Sequence, residues 1–136
     1  MLSLEVAKLL EKFAIVKAKE LGVGAAIAVV DDGGHLICFE RLDGTMAAAA
    51  NIAIGKAATA VSFKRPGIVS EQTVTTDRPA MRTLDSVTPF PYVPLKGSYP
   101  IEIDGELIGA IGIAGAITGE NDEAIALFAI EKFLNL

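Results

Sequence analysis

Two Asp-Gly pairs, Asp32-Gly33 and Asp104-Gly105, each stand between two apolar runs, and they constrain this chain more than any other feature. Asp tolerates a left-handed backbone and Gly adopts it freely, so Asp32-Gly33 fits a tight type I′ turn, and Asp104-Gly105 reads as the turn of a second hairpin. The first turn, Asp31-Asp32-Gly33-Gly34, follows the unbroken apolar run Ala25 to Val30, which reads as a central strand covered on both faces. The return strand, His35 to Leu42, alternates His35, Ile37, Phe39 and Arg41 on one face with Leu36, Cys38, Glu40 and Leu42 on the other. Around the second turn, Tyr99 to Ile103 and Glu106 to Ala114 form the other hairpin.

Helices frame these hairpins. Residues 3–21 read as a helix with Ser3 as N-cap and Gly22 as stop. Glu5, Lys8, Lys12 and Lys19 trace its polar face, while Leu9, Leu10, Phe13, Val16 and Leu21 are expected towards the sheet. Asp43-Gly44 ends the second strand, and Thr45 is placed to cap a second helix reaching about Phe63. The last helix starts after Thr118-Gly119, with Glu120, Asp122 and Glu123 at the positive end of its dipole. Residues 64–100 hold all six prolines, so only short helices near 67–74 and 78–84 and an extended run through Pro89-Phe90-Pro91-Tyr92 are expected. Such a segment inside a compact domain serves as a lid, a binding loop or an oligomer contact. The pattern predicts an α+β fold: one antiparallel sheet of four or five strands from two hairpins, with flanking helices, as a single domain over residues 1–136.

Composition narrows function by exclusion. With 17 acids against 12 bases the net charge is −5, and no basic stripe offers a footprint for nucleic acid. Alanine accounts for much of the 51% apolar content, and the most apolar stretch, Met46 to Phe63, is interrupted by Asn51 and Lys56, so no membrane span is expected. The N-terminus reads as an amphipathic helix, unlike a signal peptide, and the single cysteine, Cys38, excludes an internal disulfide; a cytoplasmic protein is expected. Charge is uneven: residues 63–100 carry five bases against three acids, and residues from 101 onward carry one base against seven acids. Ordinary surface solvation is the favoured explanation, with an anionic small ligand in the middle segment as the alternative.

Few residues carry candidate chemistry. Lys56 is the only charged residue between Asp43 and Lys64, on a helix of small residues. Its side chain either snorkels to water or points into a pocket as an anion partner or base. Thr59, three residues on, shares its face and would share its ligand. Arg41 and Asp43 flank Leu42; they form either a local ion pair or, through Arg41, a bidentate carboxylate site. His35, the only histidine, lacks triad partners and the additional ligands of a metal site, so beside a hairpin turn it reads first as an exposed structural residue, with a single axial imidazole to haem as the exception kept. Gly109, Gly112 and Gly115 punctuate the last strand and point to close packing of the alanine-rich second helix, since their spacing is not that of a dinucleotide loop.

Several segments in order resemble the GlcG/HbpS-like family, which is related to the C-terminal domain of PduO-type proteins. They are Val29-Val30-Asp31-Asp32-Gly33-Gly34-His35-Leu36, Arg41-Leu42-Asp43-Gly44, Ala53-Ile54-Gly55-Lys56-Ala57-Ala58-Thr59-Ala60, Pro100-Ile101, Asp104-Gly105-Glu106, Gly109 to Gly115, and Asp122-Glu123. The resemblance implies a profilin-like α+β domain, assembled as a homo-oligomer of two or more subunits, with pockets between subunits near Lys56 and Thr59. It also implies haem-binding or haem-degrading relatives, or relatives acting in glycolate and diol catabolism or as lyases. Two positions depart from the family pattern: Gly97-Ser98-Tyr99-Pro100 replaces a Gly-Gly-x-Pro, and Ala114 stands where a serine is usual. Both are pocket positions, and Tyr99 joins Arg41, Asp43, Lys56 and Thr59 as ligand-binding candidates.

Three functions follow as expectations. The first is a small-molecule binding protein holding haem or another anionic ligand between subunits. The second is a cofactor-free lyase or isomerase acting on a small carboxylate, with Lys56 as base or electrostatic stabiliser. The third is an accessory or assembly protein of a catabolic operon without a ligand.

Overall fold

The computed structural model describes residues 1–136, and its elements follow the order α1 (Leu4–Leu21), β1 (Ala26–Asp31), β2 (Leu36–Arg41), α2 (Ala49–Phe63), α3 (Gly67–Gln72), β3 (Ser98–Ile103), β4 (Glu106–Ala114) and α4 (Gly119–Leu134). The two hairpins join side by side, β1 against β4, giving one antiparallel four-stranded sheet in the order β2-β1-β4-β3. Alternation then divides the sheet. Ile27, Val29, Ile111 and Ile113 face α1 and α4 and form the larger core with Leu10, Ile101 and Ile125. Ala26, Ala28 and Ala114, with Val30 and Ala110 further along, face α2 instead.

The α2 face is built from small side chains because the helix lies almost on the sheet. A Cβ on Gly112 would stand 2.3 Å from the Ala53 carbonyl oxygen and 2.7 Å from the Ala57 nitrogen. The glycine in β4 and the alanines in α2 thus admit backbone against backbone, as the sequence led one to expect.

The two turns differ. Asp104 and Gly105 both have positive φ, 52° and 79°, which is type I′ geometry. At the first turn neither Asp32 nor Gly33 does; the left-handed residue is Gly34, with φ 85°. Asp31 accounts for the shift, since its Oδ1 accepts from both Gly33 N and His35 N at 2.9 Å and winds the turn one residue longer. The strand that follows carries a bulge. Val29 opposes Cys38 but Val30 opposes Leu36, so Leu36 joins the face of Phe39 and Arg41 while Ile37 packs with Cys38 against the larger core. The simple alternation expected for His35 to Leu42 therefore holds only from Cys38 onward.

The ends of α1 and the start of α2 differ in how they are capped. Ser3 Oγ accepts from Val6 N, and Gly22 adopts φ 70°, as expected. Thr45 does not cap α2; its Oγ1 accepts from Ala25 N at 3.0 Å, tying the loop to β1, and α2 begins at Ala49 without a side-chain cap. In α1 the buried stripe is Ala7, Leu10, Glu11, Ala14 and Ala18, whereas Val16 and Leu21 are exposed. The proline-rich segment runs from α3 through a π-helical turn, Thr73–Asp77, into an exposed 3₁₀ stretch, Pro79–Val87. It then lies along α2 as an extended strap, where Val93 N donates to Thr59 Oγ1 at 2.9 Å. No helix is long and apolar enough to cross a membrane.

Candidate functional site

The residues singled out by sequence fall in three places. Lys56 neither snorkels nor opens into a cavity. Its ammonium is buried and donates to the Ile113 carbonyl at 2.8 Å and to Asp122 Oδ2 at 3.0 Å. Gly97, with φ 112°, lies over this contact, and a Cβ there would stand 3.0 Å from the Lys56 Nζ. Beside it the Tyr99 hydroxyl donates to Glu123 Oε2, and Glu123 Oε1 accepts from Gly97 N at 3.0 Å. Burial and the adjacent carboxylate push the Tyr99 phenol well above its usual range, so it stays a donor. Lys56 and Tyr99 thus belong to one polar seam joining α2, β3, β4 and α4. Thr59 is also buried and is engaged by Val93.

Arg41 and Asp43 do not form the local ion pair. They line a shallow cleft of about 530 Å³ with Lys19, Gly22 and Gly24, at the end of the sheet where α1 gives way to β1. Arg41 opposes Ala26 and so shares the sheet end of the Lys56 seam, although its own side chain is exposed.

His35 lies at the other end. Lys56 is bonded at Ile113, which opposes Ile27, while His35 follows Asp31. That separation is roughly 13 Å along β1 at ~3.3 Å per residue. The imidazole is exposed and makes no hydrogen bond through either ring nitrogen. Phe90 meets it edge to face, centroids 5.5 Å apart. The same phenyl ring packs on Gly34, where a Cβ would come within 2.6 Å. Leu36, 46% exposed, continues the apolar surface. The structure therefore brings together Lys56 with Asp122, Tyr99 with Glu123, and His35 with Phe90, and it keeps His35 apart from Lys56. Phe90 escaped the sequence reading because only the docking of a distant strap places it there. Asp122 and Glu123 were legible as dipole partners but not as the partners of Lys56 and Tyr99.

No group of three or more His, Cys, Asp or Glu side chains is placed to hold a metal ion. The donor set does fit a haem: one free imidazole beside an aromatic and aliphatic surface is what a single axial ligand requires.

One hairpin-built antiparallel sheet between α2 and the α1/α4 pair makes this an α+β domain of defined topology. The chain belongs to the HbpS-like family: the family model described as haem degrading protein HbpS-like matches residues 2–131. Protein GlcG of Escherichia coli K12 is 36% identical over 98 residues, which is 72% of this chain and 69% of GlcG. Among solved structures, the Klebsiella pneumoniae protein ORFY superposes with a TM-score of 0.87 at 26% identity, covering 99% of this chain and 92% of that one. The crystal structure of the PduOC–haem complex superposes with a TM-score of 0.86 at 30% identity, covering 96% and 93%.

Proposed function

We propose that this protein is a small-molecule binding protein that takes haem, or another planar anionic ligand, at the first hairpin with His35 as axial imidazole. The observation that carries the reading is the exposed His35 ring, unbonded through both nitrogens and set against Phe90. Support comes from PduOC, a structural relative at 30% identity that was crystallised with haem. A neutral imidazole with a free nitrogen is a good iron ligand, and a carbon-rich surface beside it suits a porphyrin face.

A single subunit offers only one face to such a ligand. We therefore place the ligand between subunits of a homo-oligomer, where a second copy covers the exposed porphyrin face. Its anionic groups then need cations, and the exposed Arg41, roughly 17 Å from His35 along the sheet at ~3.3 Å per residue, would supply one from the second copy. Lys56 and Thr59, buried and already bonded, support the fold rather than the ligand. We place the protein in the cytoplasm, where a single thiol stays reduced.

Titration with haemin tests this. A shifted Soret band saturating near one haem per subunit or per subunit pair is expected, with His35→Ala losing the shift and Phe90→Ala weakening it. A Soret band unchanged by His35→Ala, or no band at all at stoichiometric haemin, rejects the assignment. Sedimentation with and without haemin reads the oligomer separately.

A further inference from the structure

A groove on the opposite side of β2 is used by none of these contacts. It lies between α1 and the free edge of the sheet and holds about 510 Å³, within the usual span for a small-ligand pocket. On α1 it is lined by Lys8, Lys12 and Lys19, with Ile15 and Val16 between them; on β2 it is lined by Cys38 and Glu40. The lysines recur on one helical face, so three ammoniums stand round an apolar strip. With Glu40 opposing, the groove keeps a positive balance.

A second, independent observation concerns what stands behind it. Glu11, one turn from Lys8 and Ile15, is 1% exposed, and its carboxyl oxygens have no hydrogen-bond partner beyond the weak Cys38 thiol beside them. Cys38 connects the two: its thiol lies by the Glu11 carboxyl, and its side chain forms part of the groove wall. A buried polar group with no partner costs about 1–3 kcal/mol and is rare in folded proteins. Here it is placed one side chain away from a lysine-lined cavity.

We propose that this groove binds a small monocarboxylate with an apolar body. Lys8, Lys12 and Lys19 hold the carboxylate, Ile15 and Val16 receive the apolar body, and Glu11 donates a hydrogen bond as an uncharged acid when Cys38 turns aside. A donor carboxyl facing an anionic oxygen makes a short, strong bond, whereas the Cys38 thiol on the wall itself is only a weak donor. Burial first, then the neighbouring Glu40 charge, raises Glu11 to about 9, while the Cys38 thiol pulls the other way. Glu40 on β2 is the charged group that raises the acid, Lys8 on α1 bears on the Cys38 thiol beside it, and the acid keeps its proton at neutral pH.

The experiment uses the ¹⁵N-labelled full chain with sodium benzoate and sodium hexanoate as probes at pH 7. Saturable shifts at roughly millimolar probe, confined to Lys8, Lys12, Ile15, Cys38 and their neighbours, are expected, and benzamide produces none. Lys8→Glu with Lys12→Glu weakens binding at least about tenfold. Wild-type affinity falls as pH rises through about 9, and Glu11→Gln, a neutral donor at every pH, removes that fall. Absence of saturable shifts, shifts centred elsewhere, or unchanged binding in the lysine variant overturns the proposal. So does displacement of benzoate by haemin, because the groove would then be part of the haem site. Unchanged pH dependence in Glu11→Gln removes Glu11 from the ligand and defeats the donor assignment.

Discussion

Lys56 Nζ lies 3.0 Å from Asp122 Oδ2, and the two side chains are 3% and 11% exposed. The contact joins the middle of α2 to the first turn of α4. Asp122 Oδ1 meanwhile accepts from Ala116 N at 3.0 Å, so one carboxylate holds both a lysine and the loop leading into its own helix. Next to it Glu123 takes Gly97 N and the Tyr99 hydroxyl. The charged residue that stood out most in the sequence is therefore the keystone of a buried seam between the sheet's two helical layers.

Removing one member of such a pair leaves the other charge buried and uncompensated. Lys56→Met is expected to cost about 3–5 kcal/mol. The double variant Lys56→Met/Asp122→Asn should recover part of that loss, because it deletes the stranded charge while an amide oxygen still accepts from Ala116 N. Urea midpoints for the wild type, the single and the double variant check this. A Lys56→Met protein as stable as the wild type would mean that the seam does not bear on folding.

Two glycines separate conformational strain from steric strain. Gly105 has φ 79° and nothing within 4 Å of an added Cβ, so Gly105→Ala should cost only the left-handed backbone penalty, about 1 kcal/mol. Gly112→Ala pushes a methyl into the Ala53 carbonyl and the Ala57 nitrogen, neither of which can move without shifting α2. A loss of about 2–3 kcal/mol is expected, larger than at Gly105. Thermal melts of the two variants, side by side, decide the order.

Local chemistry made much of this legible. Ser3 and Gly22 bound α1, Asp104-Gly105 makes its turn, and the Gly109–Gly115 spacing led to the close packing of α2. Failures occurred where a distant group intervened. Asp31 bonds moved the first turn's left-handed residue to Gly34, Ala25 took the Thr45 hydroxyl from its expected capping role, and a bulge turned Ile37 to the other face. Lys56 left two readings open in sequence, and its actual partner lies 66 residues away. Glu11 was missed because a glutamate in an amphipathic helix is expected on the wet side, while the sheet and α4 bury the stripe in which it sits.

The strap over α2 depends on few bonds. Thr59 Oγ1 receives Val93 N, and Gly55 leaves room for the Val93 side chain. Thr59→Val keeps the shape and deletes the acceptor, so a global cost of about 1 kcal/mol is expected. The larger effect should be local: faster amide exchange at Val93 and faster proteolysis between 78 and 95, with α1 and the sheet unaffected. Hydrogen exchange that stays uniform across the chain would show that the strap is held by other contacts.

Glu11 makes a prediction about pH whose sign can be worked out. Its acid form is favoured by the fold, with a value near 9 against 4.5 for the free side chain. Below about pH 4.5 both states are protonated and the group contributes no difference. As pH rises beyond that, the unfolded chain releases the proton while the folded chain keeps it, so the folded state loses stability steadily until about pH 9. The cost already incurred at pH 7 is about 3 kcal/mol as an order of magnitude. Glu11→Met, which fills the same space without a carboxyl, should therefore stabilise the protein, with a gain that grows between pH 5 and pH 8. Glu11→Gln should flatten the same pH slope but gain less, because its buried amide keeps unsatisfied polar atoms. Denaturation curves at a series of pH values measure both effects. If the wild type and Glu11→Met change in parallel from pH 5 to 8, the carboxyl is not held protonated by the fold, and the neutral donor assigned to the groove disappears with it.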